Sequence, residues 1–407
     1  MEKDTDTPVE PQALGARLQE ARKARRLTQQ QAADSLGIAR TTLVAIEKGE
    51  RRVQDGELVR MAGLYGRQVN ELLRRQLVTE SFAVQFRAAR SSSAAADDEQ
   101  ERQVAELQLL CEDYIELEQL CSSSLPRSYP AEYRVDTDRP EQAAEEVASA
   151  ERNRLGLGDG PVLRLRELLE NDVGLRIFFM DMPSRIAGMF GYTSELGGCI
   201  AINAKHPDER RRWSLAHEYA HFLAGRFRPD VTIFIRYERV PARERFADAF
   251  TRCFLMPAAG LGRRLGALRR EGSAEVTIAD ILTLADLYRV SFEALIHRLE
   301  ELRLIAGGTW DRLSASGFKV RAAQAVLGLH PGAGDRGPEL LPARYRYLAV
   351  QAFEDDLLTE GQLARLLRTD RLGARVAAER LKRRPDVAEA GDVGELSIDF
   401  SAPVRLS

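Results

Sequence analysis

Trp213-Ser-Leu-Ala-His217-Glu218-Tyr-Ala-His221-Phe-Leu-Ala-Gly225 is the stretch from which the rest of the chain is read. It contains His-Glu-x-x-His. Two histidines four residues apart share one face of a helix, about one turn along it. That face can offer two imidazole nitrogens to one metal ion. Glu218 follows the first histidine and can reach a water on the metal. Leu215, Ala216, Tyr219, Ala220 and Phe222 are mostly apolar, and no proline interrupts the run. Gly225 is a natural C-terminal stop. The chain has 5 histidines in 407 residues, and two of them flank this glutamate. The pattern predicts the active-site helix of a zinc hydrolase.

Length and composition place that helix in an ordinary globular protein of two to four domains. The net charge of -3 conceals a segregation. Residues 11–80 hold 13 Lys/Arg and 8 Asp/Glu, a net of +5, whereas residues 94–154 hold 16 Asp/Glu and 6 Lys/Arg, a net of -10. A basic N-terminal module favours a polyanionic partner. Cys111, Cys121, Cys199 and Cys253 form no Cys-x-x-Cys pair, the N-terminus has no signal-peptide core, and no apolar run approaches a membrane span. The expectation is a cytoplasmic protein with free thiols and no membrane partner.

Residues 12–76 read as five short helices, near Ala13–Arg25, Gln29–Leu36, Arg40–Lys48, Asp55–Tyr65 and Val69–Gln76. Thr28 precedes Gln29-Gln30-Gln31, a capping box. Only Gly37-Ile38-Ala39 joins the second helix to the third, which fits a helix-turn-helix. Leu18, Ala32, Leu36, Ile38, Leu43, Ile46, Leu58, Met61 and Ala62 supply a small core. Thr28-Gln29-x-x-Ala32-Ala33-x-x-Leu36-Gly37-Ile38-x-x-Thr41-x-Leu43-x-x-Ile46-Glu47-x-Gly49 resembles the phage-repressor (XRE) type of DNA-binding domain. The resemblance implies a third helix in the major groove of double-stranded DNA, with Arg40, Thr41, Thr42 and Ala45 facing bases. Gln29 and Lys48 would then position the DNA backbone, and Arg51 and Arg52 would add phosphate contacts. It also implies a homodimer on paired half-sites. A helical protein-binding module with a solvated basic face is the alternative.

Residues 77–140 read as a connection. Phe82-x-x-x-Phe86-Arg87-Ala88 is a short apolar stretch expected to dock on a neighbour, and Ser91-Ser-Ser-Ala-Ala-Ala-Asp-Asp is linker-like. A helix follows from about Glu99 to Cys121. Val104, Leu107, Cys111, Tyr114 and Cys121 form its stripe, and Glu118 breaks it. Both a short coiled coil and packing on the next domain fit that stripe.

Residues 141–305 hold the metal helix, predicted to begin near Asp208. Helices are expected at Glu141–Leu155 and Val162–Asn171. Strands are expected at Leu175–Met180, Gly188–Tyr192 and Gly198–Asn203. Ala224 and Phe227 stand where a metzincin needs glycine and histidine, which excludes that class. Downstream, Glu244 and Asp248 lie one turn apart on a predicted helix. Glu244 could complete a His/His/Glu ligand set, with Asp248 accepting a hydrogen bond from the far nitrogen of a ligand histidine. A solvated acidic pair is the plain alternative.

Ile202-Asn203, Arg211-x-x-x-Leu215-Ala216-His217-Glu218-x-x-His221 and Glu244-x-x-Ala247-Asp248-x-Phe250-x-x-x-x-Leu255-Met256-Pro257 resemble the ImmA/IrrE metallopeptidases, over roughly residues 140–305. The family usually has Asn at the Asp248 position and Leu-Gly or a similar pair at Tyr219-Ala220. The first departure leaves both acids as candidates for the third ligand. The resemblance implies a gluzincin-like Zn2+ site with Glu218 as the base. It also implies a protein substrate, a partner repressor, whose cleavage switches genes on in stress response or mobile-element regulation. The chain's own 77–140 connection is a second possible target. Tyr192, His206, Arg236 and Tyr237 are candidates for a second electrophile. Residues 276–299 resemble a second helix-turn-helix-like segment, read mainly as packing. Residues 306–407 look mostly helical, with a terminal strand at Leu396–Phe400, a surface histidine at His330 and no assigned chemistry.

The expected architecture is therefore mainly α with a small sheet (α+β): an all-helical DNA-binding domain, then a zincin-like domain and a helical C-terminal region. Two rivals to the peptidase reading stand beside it. One is a non-enzymatic regulator that uses the domain to sense a metal or ligand. The other is a toxin–antitoxin component.

Overall fold

The computed structural model describes residues 11–25, 27–66, 69, 72, 82, 97–136, 138–227, 230–233, 241–270, 276–329, 338–387 and 393–397. The chain divides into two compact units, Met1–Val78 and Thr79–Ser407.

The first unit contains α1 (Pro11–Ala24), α2 (Gln29–Leu36), α3 (Arg40–Glu47) and α4 (Asp55–Tyr65). Thr28 caps α2 in the expected box: its hydroxyl accepts from Gln31 N, and the Gln31 side chain accepts from Thr28 N. Gly37 ends α2 at φ 67, the left-handed conformation that a side chain resists. The expected core residues are buried, with Ile38 half-buried at the edge. Inside the unit, Arg22 on α1 grips Glu47 on α3 through two hydrogen bonds of 2.6 and 3.0 Å. Most of the fifth predicted helix, Val69–Gln76, lies outside the described residues.

The second unit opens with α5 (Asp97–Leu120), α6 (Pro140–Arg154) and α7 (Leu165–Leu168), which runs into a π-helical turn at Leu169–Val173. Strands β1 (Arg176–Met180), β2 (Ile186–Thr193) and β3 (Gly197–Asn203) follow, then the metal helix α8 (Asp208–Gly225) and β4 (Asp230–Ile233). The helices α9 (Ala242–Leu255), α10 (Ala258–Arg270), α11 (Ile278–Tyr288), α12 (Phe292–Glu301), α13 (Thr309–Ala315), α14 (Val320–Val326), α15 (Ala343–Glu354), α16 (Glu360–Leu366) and α17 (Arg371–Lys382) complete the helical part. A hairpin of β5 (Arg383–Val387) and β6 (Val393–Ser397) closes the order. The predicted terminal strand thus sits three residues earlier, and residues 398–400 lie outside the described set. The predicted helix at 162–171 starts later, at Leu165, and ends as a π turn.

The main sheet has the order β1-β3-β2-β4, with β1 parallel to β3 and the other pairs antiparallel. Ile177, Phe190, Ile200 and Ile202 face the core shared with α8 and α9. Alternation turns Arg176, Phe178 and Met180 to the opposite face. There Phe178 meets Tyr114 of α5 and Tyr345 of α15 edge-on, at 6.3 and 6.1 Å. The stripe on α5 therefore packs on the sheet, as one of its two readings expected, and does not form a coiled coil. Phe82 joins this face: it is buried, and a side chain at Gly191 would lie 3.1 Å from its ring. Residues 86–88 are outside the described set.

Glu118, which interrupts the apolar stripe, has a partner on the sheet. Arg176 of β1 donates to both of its oxygens, at 2.8 and 3.0 Å, and Arg344 adds a third contact at 3.2 Å. Arg365 reaches the buried Asp113 at 3.3 Å. The C-terminal region is held on α5 by these ions, and Leu340 O accepts from Phe179 N at the outer edge of β1.

Removing one partner of a buried ion pair strands the other charge, typically at about 3–5 kcal/mol. Arg176 is 1% exposed. Glu118→Ala is therefore expected to lower unfolding stability by about that much, read from the urea midpoint. A shift below about 1 kcal/mol would show that Arg176 is satisfied without Glu118.

Candidate functional site

Helix α8 begins after Pro207, with Asp208 and Glu209 in its first turn, where acidic groups suit the helix dipole. Its middle is buried from Ser214 to Leu223. His217, Glu218 and His221 face α9 and β2. From α9, which follows Pro241, Glu244 and Asp248 point back. Nε2 of His217 lies 3.3 Å from Glu244 Oε2, and Nε2 of His221 lies 3.5 Å from Glu244 Oε1. The two Nε2 atoms are 3.1 Å apart. One ligand atom from each of His217, His221 and Glu244 falls within 4.8 Å of the others, the one such group among the described residues. Asp248 is set back from it: its Oδ1 is 3.1 Å from Nδ1 of His217.

Electrostatics treat the two rings differently. Burial disfavours the charged form of His217, but hydrogen bonds to Asp248 and Glu244 outweigh it and hold the pKa up at about 10. His221 is driven well below the usual range by burial, then by the charges of His217 and Arg243. Arg243 Nε donates to His221 Nδ1 at 3.1 Å. An imidazole that ligates through Nε2 carries its proton on Nδ1. Two imidazoles and one carboxylate form a set suited to a divalent metal with one position open, with Asp248 at Nδ1 of His217 and Arg243 at Nδ1 of His221.

Glu218 is fully buried. Its carboxylate rests on Gly188 of β2, where an added Cβ would lie 2.8 Å from Oε1 and 3.0 Å from Cγ. Sequence reasoning singled out neither Gly188 nor Arg243. A glycine inside a run of strand formers was the available signal for the first, because it marks a close approach. Of the candidate electrophiles, His206 is turned to the Ser184 carbonyl at 3.1 Å. Tyr192 packs its ring edge-on against Tyr129 and Phe227 and tilted against Phe222. Arg236, Tyr237 and His330 lie outside the described residues. A separate cavity of about 260 Å³ is lined by Arg166, Phe179, Arg211, Arg212 and Leu215. Its guanidinium groups are turned into backbone carbonyls of Ile177, His206 and Leu163.

In the first unit, Arg40 and Thr41 on α3 and Lys48 at its C-terminal cap are exposed, and Thr42 and Ala45 are half-buried. Gln29 is half-buried and donates to Glu47 at 2.9 Å. Arg51 is committed to Glu57 through two contacts of 3.0 and 3.1 Å, whereas Arg52 is exposed. The second helix-turn-helix-like segment, α11 and α12, buries Phe292, Leu295, Ile296 and Leu299. His297 lies within 4.0 Å of Glu293 and Glu300 on α12, an acidic face that suits packing and not nucleic acid.

Residues 170–300 match the family model described as IrrE N-terminal-like domain, of the M78 peptidases. Residues 18–72 match the helix-turn-helix model. The chain is thus a DNA-binding helix-turn-helix domain followed by a metallopeptidase-like domain. In family terms it is an XRE-type domain fused to an ImmA/IrrE-type domain. No curated protein matches. Among solved structures, a Mycobacterium tuberculosis transcriptional regulator is 18% identical over 48% of this chain, with a TM-score of 0.26. The match spans about half of that regulator, 52%. ComR from S. thermophilus is 13% identical, covering 78% of this chain and 95% of its own, with a TM-score of 0.16. ComR from Streptococcus suis is 10% identical over 92% of each chain, also at 0.16. Among the described residues no helix is long and apolar enough to cross a membrane.

Because His217 holds its proton at neutral pH, binding of a metal through Nε2 must expel it. Titration of Zn2+ at pH 7 in buffers of different ionisation enthalpy is expected to show about one proton released per metal. Heats that do not depend on the buffer would contradict the protonated state of His217.

Proposed function

We propose that the chain is a transcription regulator whose first unit binds double-stranded operator DNA and whose second unit is a zinc-dependent endopeptidase acting on a repressor protein. One observation carries the reading. The ligand atoms of His217, His221 and Glu244 converge within 4.8 Å, and the carboxylate of Glu218 is buried beside them. A site that only stores or senses metal needs ligands but no base. Three protein ligands leave an open position, as hydrolytic sites do and closed structural sites do not.

Zinc held there supplies Lewis acidity toward water and toward a peptide carbonyl. Glu218 takes the proton of the attacking water and returns it to the leaving nitrogen. Gly188 leaves it the room to do so. Asp248 accepts from Nδ1 of His217, which fixes the ring and keeps Nε2 for the metal. In the first unit, Arg40, Thr41, Thr42 and Ala45 read base edges, and Gln29 and Lys48 hold the phosphate backbone. The net charge of +5 over residues 11–80 supplies the sequence-independent attraction.

The protein substrate is a partner repressor or the chain's own connection ahead of residue 97. An endopeptidase needs an extended, detachable segment. Residues 97–120 are a packed helix, and the extended stretch after it is pinned by Ser128 N to Val173 O and Tyr133 N to Leu223 O. Self-cleavage within 97–136 would have to unfold the unit that performs it.

Glu218→Gln is expected to keep zinc and to slow cleavage of the repressor by about 10²–10⁴-fold, followed by intact mass. Normal regulation in cells carrying the zinc-loaded variant would replace the peptidase reading with a metal-sensing one. Arg40→Ala with Thr42→Ala is expected to abolish sequence-specific retardation of the operator while weak, salt-sensitive binding remains. Specific binding by the double variant would remove α3 as the reading helix.

A further inference from the structure

Tyr219 stands between Glu218 and His221 in the chain but on the other side of α8. Its ring is fully buried and meets Phe250 and Phe254 of α9 edge-on, each at 6.0 Å. Its hydroxyl donates to Oε2 of Glu151 on α6. Glu151 is also fully buried. It accepts from the Tyr133 hydroxyl at 2.9 Å and pairs with Arg154 at 2.7 Å. Arg154 in turn donates to the Tyr219 hydroxyl and to Ser128 O, both at 3.1 Å. Burial drives the Tyr219 phenol well above its usual range and the charge of Glu151 adds to this, so it remains a donor at neutral pH.

We propose that Glu151 and Tyr219 are positioning residues of the metal centre, acting by fixing the rotation of α8 about its own axis. The inference rests on the zinc reading above. Tyr219 is two residues from both His217 and His221, so it projects roughly 200° around the helix from each. Apolar packing resists separation of helices but tolerates small rotations, because it is non-directional. A hydrogen bond to a buried carboxylate is directional. Imidazole nitrogens sit roughly 7 Å from the helix axis, so a 10° rotation moves them by about 1 Å. Ligand sets tolerate about half of that. The ring of Tyr219 touches α9, which carries Glu244 and Asp248, and its hydroxyl is tied to α6. One side chain thereby indexes the metal helix against both neighbours.

The test uses the full chain loaded with Co2+ in place of zinc. Tyr219→Phe and Glu151→Gln are expected to shift the cobalt visible absorption bands and to weaken cobalt binding roughly tenfold, the low end for partners just outside a ligand shell. Far-UV circular dichroism is expected to be retained. Tyr133→Phe removes a donor from the same carboxylate but keeps the backbone bond from Tyr133 N to Leu223 O of α8, and is expected to change the bands less than Tyr219→Phe. A merely structural role would lower the melting temperature of all three and leave bands and affinity alone. Should Tyr219→Phe fail to fold, Glu151→Gln decides. Unchanged bands and affinity in the folded variants overturn the inference alone. A wild-type protein with no cobalt bands overturns the zinc reading and the inference together.

Discussion

Burying a helix that carries ionisable groups on one face is the constraint around which the second unit is arranged. Helix α8 is enclosed along its middle, yet it places His217, Glu218 and His221 in the interior. A polar group moved from water without a partner costs several kcal/mol. Two neighbours of α8 bring partners to these groups, and a third leaves room for one. Helix α9 brings Glu244 and Asp248 to the histidines. Strand β2 yields its side chain at Gly188 so that the Glu218 carboxylate fits. On the far side, α6 offers Glu151 to Tyr219 and brings Arg154 to balance it. Apolar burial draws these elements together without direction, and the polar groups decide which atoms meet.

The same arrangement separates the two histidines. They are one turn apart on the same helix and chemically identical, but His217 faces two carboxylates and His221 faces a guanidinium. One ring therefore favours its proton and the other sheds it. Opposite charges thus face each other across the pocket, carboxylates at His217 and a guanidinium at His221. The pocket holds its side chains close to where a ligand set needs them.

How much of this was legible in the chain depended on range. The bounds of α8 and the capping box at Thr28 were readable because caps and helix periodicity are local. The Glu244 and Asp248 pair was readable because one-turn spacing is also local, and the motif 23 residues earlier supplied the context. Strand β4 was missed, since four residues carry too little pattern. The destination of α5 was left open. An apolar stripe names a face but not what covers it, and Glu118 looked like a flaw until Arg176 came to it from 58 positions away. Arg243 was passed over because a lone arginine beside an acid carries no signal until the partner ring is known. The C-terminal region was opaque for the same reason. Its anchors, Arg344 and Arg365, find their acids more than 200 residues earlier.

The placement of α5 on the back of the sheet also determines where this protein can be divided. Counted along the chain, α5 looks like part of the connection to the DNA-binding unit. Counted by contacts it belongs to the sheet, whose Phe178 it covers and whose Arg176 it neutralises. A break at Val78, where the two units meet in sequence, frees the first unit and leaves the second whole, Phe82 included. A break between Cys121 and Pro140 detaches α5 from the chain it supports, uncovers an apolar sheet face and strands a buried cation. The seam between the two units therefore lies ahead of α5, and the acidic helix travels with the histidine helix α8.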